Sequence, residues 1–210
     1  MGGAKAVIAA VVLAIAAGTG YALYASKQKR EQQRAVAALL GDTTTHLRKA
    51  LSAPPLPDLV SKIDGNLKAA KAPRDPVLAT AAGDYIHGAR EIARRRAEAE
   101  RLAREASMSR RALAMHMAAA SGRDAYWIRV ATDLKRRTER DHFELEVSLK
   151  ALSELLQTLP EAQKRLASSQ VDAALLLEDA ERVKARERAQ EAATRAHDEL
   201  EKVRRLILPR

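Results

Sequence analysis

The chain has no cysteine among its 210 residues. That absence removes disulfides, thiolate zinc sites and cysteine nucleophiles, although it leaves the compartment open. Aromatic residues are nearly as scarce, at 3%, with one Trp, one Phe and four Tyr. A core without aromatic bulk has to be filled by Ala, Leu, Val and Ile, whose small side chains favour closely approaching helices over stacked sheets. Glycine and proline are few, 9 and 7, and no glycine-rich loop follows a strand-like run to cradle a phosphate. Ser107, Ser109, Ser121, Ser168 and Ser169 stand in helical or turn contexts without a Gly-x-Ser-x-Gly elbow. The sequence therefore predicts a protein that is not an enzyme, with no catalytic residues, no metal and no cofactor.

What is present is charge and a periodic scatter of Ala and Leu. Charged residues make up 30% and the net charge is +10, a composition suited to long helices or coiled coils. The positive excess lies in residues 26 to 52 and 77 to 122, whereas residues 123 to 210 are nearly balanced. Balance of that kind is expected of a helical surface laced with ion pairs.

The one long apolar run covers residues 6 to 25 and would span about 30 Å as a helix, the thickness of a bilayer's hydrocarbon core. Tyr21 and Tyr24 fall at its edge, and Lys27, Lys29, Arg30 and Arg34 follow directly, an aromatic border and then a positive flank. The reading is a transmembrane helix whose four cations contact anionic lipid headgroups. A cleaved signal peptide is the competitor, with Lys5 at its start, Val7 to Ala17 as the apolar part and Leu23-Tyr24-Ala25 before the cut. The anchor is preferred because the apolar run continues past Gly18 and Gly20 and because Leu is less usual than Ala at that site. More positive charge follows the run than precedes it, which predicts a body on the cytoplasmic side of a bacterial inner membrane.

Beyond the tail (1–5) and the anchor (6–25), residues 26–52 read as a basic juxtamembrane helix with a weak point at Gly41-Asp42. Residues 53–75 read as a proline-rich linker holding a short helix, since three prolines within Pro54 to Pro57 stop a helix. Residues 76–208 read as an antiparallel bundle of helices at about 76–121, 124–157 and 159–208. Asp75 before Pro76 marks the first start, Ser121-Gly122 a stop, Asp124 a restart, and Thr158-Leu-Pro-Glu161 a capping box opening the third helix. Leu145, Leu149, Leu152, Leu156 and Leu159 form a heptad seam. The last helix carries two apolar sets out of phase, Leu166, Ala173, Leu176, Ala180 and Val183 and then Ala189, Ala193, Ala196, Leu200, Val203 and Ile207, as at a stutter. The predicted fold is all-α: an N-terminal transmembrane helix, then an elongated antiparallel coiled-coil hairpin or bundle of about three long helices plus one short one.

Candidate chemistry is thin. Glu139-x-x-His142 and Asp84-x-x-His87 have the spacing of carboxylate-bridged metal bundles, but one has Asp in place of Glu and neither has an apolar shell. Arg94-Arg95-Arg96 with Arg90, Arg101 and Arg104 is the densest cationic run. Interleaved glutamates, with Arg94–Glu98 and Arg101–Glu105 as four-residue pairs, make it a solvated face and not a nucleic-acid surface. Trp127 either plugs one end of the bundle or is an exposed partner contact. Lys135, Thr138 and His142 place polar groups on the seam, so that half of the bundle should pack loosely and gain by adding a helix. The reading is a non-catalytic, membrane-anchored scaffold or assembly protein that binds an unknown protein partner or forms a homo-oligomer. An exported sensor or envelope stalk is the alternative and a carboxylate–His metal bundle a remote one.

Overall fold

The computed structural model describes the backbone of residues 3–52, 58–70, 75–119, 124–169 and 171–206, with side chains from Tyr24 onward. Five α-helices carry the fold: α1 (Gly3–Ser52), α2 (Asp58–Ala69), α3 (Pro76–Ala118), α4 (Ala125–Ser168) and α5 (Asp179–Arg204). A single 3₁₀ turn, Ala173–Leu175, lies between the last two. Among the described residues there is no strand. The side chains of residues 6 to 23, most of the segment read as membrane-spanning, lie outside the described set. Among the described residues no helix is long and apolar enough to cross a membrane.

α3 and α4 form the central antiparallel pair. Asp75 starts α3 by accepting the Val77 and Leu78 amides at 3.0 and 3.1 Å, with Pro76 in the first turn where its missing N–H costs nothing. Asp124 starts α4 by accepting the Trp127 amide at 2.7 Å. α5 then runs back along α4, as Arg182 meets Leu156, His197 meets Glu146 and Lys135 meets the end of α5. At 44 residues α4 is about 66 Å long.

Two expectations about helix limits are corrected. Residues 157 to 159 are not a break: α4 continues through Pro160 to Ser168. Thr158 does not cap, because its hydroxyl donates to the Leu155 carbonyl at 3.1 Å inside the same helix. The reversal comes at 169–178 instead, where Asp172 caps the 3₁₀ turn and Leu176 and Leu177 enter the core. α5 opens only at Asp179, with Glu181 accepting the Glu178 amide at 3.3 Å. Ala173, Ala180 and Val183, expected on a buried seam, are therefore exposed. Ser121-Gly122, Ala120, Ile207 and the prolines at 54, 55 and 57 lie outside the described residues.

The second correction concerns α1. It runs without a break through Gly41-Asp42 and is no mere juxtamembrane arm, because Val36, Leu40, Thr43, Thr44, Leu47 and Ala50 are buried. Val36, Leu40, Leu47 and Ala50, Leu59 and Ile63 of α2, the first half of α3 and Leu152 to Leu166 of α4 share one core. The bundle thus begins near residue 36. One end is thick, five elements deep; the other is a slimmer assembly of α3, α4 and α5 with the small cluster Ala99, Leu149 and Ala193.

Candidate functional site

At the junction of thick and thin ends, α3 and α5 both lie on α4 and an elongated crevice of about 590 Å³ opens between them. Its floor is Leu145, Leu149 and Leu152 of α4, its walls are alanines of α3 and α5, and Leu51 and Ser52 of α1 close one end. α3 and α5 each pack on α4 but stand apart from one another, and their alanines are too small to fill the space between them. Arg96, Arg110, Arg188 and Arg195 ring the opening with Glu100 and Glu199. Arg96 is paired with Glu100 at 2.9 Å, and Arg110 reaches across to Glu199 at 2.8 Å. Hydrogen bonding from Lys202 and the nearby Arg110 charge hold the Glu199 carboxyl below its ordinary range, although desolvation opposes them.

The polar seam of α4 is largely consumed by packing. Lys135 donates to the carbonyls of Arg204 and Leu206 at 3.1 and 2.8 Å, capping the end of α5 where the helix dipole favours a cation. Thr138 is fully buried and donates to the Leu134 carbonyl at 2.8 Å. His142, 5% exposed, donates from Nδ1 to the Thr138 carbonyl at 2.9 Å. Of the three, only His142 borders the crevice. The loose packing expected in the half holding these residues is corrected: the open space lies over the leucine seam at Leu145, Leu149 and Leu152, between α3 and α5.

Trp127 is 7% exposed and stacks on His116, ring centroids 5.0 Å apart. Its Nε1 donates to the His116 carbonyl at 3.3 Å, and the His116 Nε2 lies 3.0 Å from the Trp127 carbonyl. It plugs the end of the α3–α4 hairpin, so the partner contact read for it is corrected: the exposed aromatic is its neighbour Tyr126. Lys27, Lys29, Arg30 and Arg34 are all exposed on α1. Helical spacing sets Lys27, Arg30 and Arg34 on the side opposite the buried Val36, Leu40 and Leu47, while Lys29 falls on the buried side's line.

The Glu-x-x-His pairs do not converge. Glu139 faces Lys135 at 3.9 Å and Asp84 faces Arg165 at 2.8 Å, and among the described residues no three metal-ligating side chains cluster. Most of the arginine run is paired along its own helix, with Arg94 on Glu91, Arg95 on Glu98 and Arg101 on Glu105, while Arg90 also reaches Asp64 of α2 and Arg104 donates to the Glu100 carbonyl. Glu98 thus pairs with Arg95, three residues back, and not with Arg94.

Sequence reasoning missed a second hollow of about 450 Å³ between α4 and α5, bordered by Glu146, Lys150, Gln157, Gln190 and His197 among others. Glu146 is buried and bonded to Lys150 at 2.5 Å and His197 at 3.3 Å. Burial by itself would raise this carboxyl; the bonds and charges of Lys150 and His197 outweigh it and leave the group below its ordinary range. A Glu-x-x-x-Lys spacing was the only signal, and it is common on any helix. Known protein families, curated protein sequences and solved structures offer no match to this chain.

Proposed function

We propose that the protein is a non-catalytic, membrane-anchored helical scaffold or assembly protein, tethered by residues 6–25 and meeting a protein partner or a second copy along its helices. The observation that carries this reading is the continuity of α1. One 50-residue helix, about 75 Å long, begins at Gly3, runs through the whole apolar sequence and packs its second half into the core. Tether and body are then one rigid element, so the bundle is held at a fixed pose relative to the bilayer. The cations at Lys27, Arg30 and Arg34, turned away from the buried face, suit contact with anionic headgroups worth about 1 kcal/mol each. Four cations after the apolar run against one before it favour the cytoplasmic side.

Carbonate extraction of membranes followed by reporter fusions after Arg210 tests the reading. It predicts retention in the membrane pellet and a reporter active only in the cytoplasm. Release by carbonate removes the tether. Retention with an exported reporter gives the stalk alternative in place of a cytoplasmic scaffold.

A further inference from the structure

We propose that the crevice between α3 and α5 binds a single acyl chain carrying an anionic head, the chemistry shared by a free fatty acid and an anionic lysolipid. The first argument is shape. The lining runs from Arg96 to Arg110 on α3 and from Ala185 to Glu199 on α5, an advance of about fourteen helical steps on each and so about 21 Å. One leaflet's acyl chains span about 15 Å. The length therefore holds one chain with room left for its head. The volume of about 590 Å³ lies within the range of built small-molecule sites.

The base of the crevice is apolar and nearly closed to water, with Ala99 and Leu152 at 2% and Leu149 at 7% exposure, while Leu145, Ala103, Ala185 and Ala192 are half-buried. Arg110 and Glu199, ion-paired at 2.8 Å, bridge α3 and α5 at one end. An alkyl chain laid along such a base removes apolar surface from water over its whole length.

The second argument is charge. Arg188 and Arg195, seven residues and so two turns apart on α5, are exposed at the rim and have no carboxylate partner among the described residues. They offer an anionic head two guanidinium groups, which hold carboxylate and phosphate in a forked geometry. The third is His142. Its Nδ1 is committed to the Thr138 carbonyl, which can only accept, so Nε2 is the ring nitrogen left for a further hydrogen bond. That nitrogen belongs to a side chain 95% buried at the crevice lining and has no partner among the described residues. It can hydrogen-bond a polar group of the head from the crevice lining.

This inference does not depend on the scaffold reading, since the crevice lies wholly in the body. To test it, full-length protein in phosphatidylcholine nanodiscs is irradiated with diazirine-tagged palmitate, lysophosphatidylglycerol or zwitterionic lysophosphatidylcholine, and adducts are mapped by mass spectrometry. Expected are adducts within 96–110 and 185–199 from the anionic probes, with the zwitterionic probe weaker by about fivefold or more. Palmitate alone, or lysophosphatidylglycerol alone, labelling these helices supports the site and identifies its source of ligand. Arg188→Glu with Arg195→Glu, both at exposed positions, lowers anionic labelling by about fivefold, and Ala103→Trp, which fills the crevice, abolishes it. If the tryptophan variant fails to fold, the charge-reversed variant decides. Labelling confined to α1, equal labelling by the zwitterionic probe, or labelling unchanged by charge reversal overturns the proposal.

Discussion

Arg182 of α5 donates through Nη1 to the carbonyl of Leu156 at 3.3 Å, four residues before Pro160, whose ring nitrogen has no hydrogen to give that carbonyl. A proline inside a helix removes one backbone bond and crowds the preceding turn. Here the neighbouring helix supplies the missing donor, from a side chain only 13% exposed. Arg182→Met should therefore cost about 1–3 kcal/mol, and clearly less in a Pro160→Ala background, where the alanine amide takes over the carbonyl. A double-mutant cycle on guanidinium unfolding measures the difference. Strictly additive costs would sink the idea. Asp179→Asn is the control, because the Arg182–Asp179 pair is at the surface and worth little.

A second junction ties three segments at one hydroxyl. Tyr85 Oη lies 2.8 Å from Thr44 Oγ1 and accepts the Leu177 amide at 3.1 Å, while Thr44 donates to the Leu175 carbonyl at 2.8 Å. Since Thr44 gives its proton to that carbonyl, the tyrosine is the donor in the pair. Tyr85→Phe strands the buried Leu177 amide and should destabilise the chain by about 1–3 kcal/mol. Desolvation raises the Tyr85 pKa, against the pull of its hydrogen bonds. A raised native value means that stability is fully present below the free phenol's value of about 10 and is lost as pH climbs above it. Absorbance titration at alkaline pH should show one late phenol, missing in Tyr85→Phe; a wild-type curve unchanged by the substitution would contradict this account.

Glu146 gives the opposite dependence. Its carboxyl is held below the ordinary range in the native state, so its contribution is present above the unfolded value of about 4.3 and disappears as pH falls through the lower native one. Melting temperatures measured from pH 7 downward should decline through that window in the wild type. Glu146→Gln should start lower and decline less. If both proteins lose stability in parallel, the Lys150 and His197 contacts do not stabilise the carboxylate as described.

Much of the helical layout was legible because its signals are local. Asp75-Pro76 and Asp124 act on amides two or three residues away, and the seam from Leu149 to Leu159 needs only one helix to reveal it. The turn at 169–178 was legible only as a symptom: the phase slip between Leu166 and Ala189 is a chain reversal, not a stutter. Thr158-Leu-Pro-Glu161 misled because Pro160 is tolerated inside a helix only with Arg182, 22 residues later, at hand. The crevice was hidden for a related reason. Ala99, Ala103 and Ala192 look like ordinary seam residues, and a gap between α3 and α5 depends on how two distant segments sit on a third.

Two glycines of α3 give a paired test of that packing. Gly83 and Gly88 are both interior to the helix, where exchanging glycine for alanine gains about 0.5–1 kcal/mol when nothing opposes it. A Cβ at Gly83 would meet nothing within 4 Å, whereas one at Gly88 would come within 3.2 Å of Leu159 Cδ1. Leu159 is 3% exposed and belongs to the main core, so its methyl has little free space to retreat into. Gly83→Ala should therefore raise the unfolding midpoint, and Gly88→Ala should gain less or fall below the wild type. Equal stabilisation by both would mean that α3 and α4 are farther apart at this level than the fold has them, and the antiparallel register joining Asp84 to Arg165 would have to shift with them.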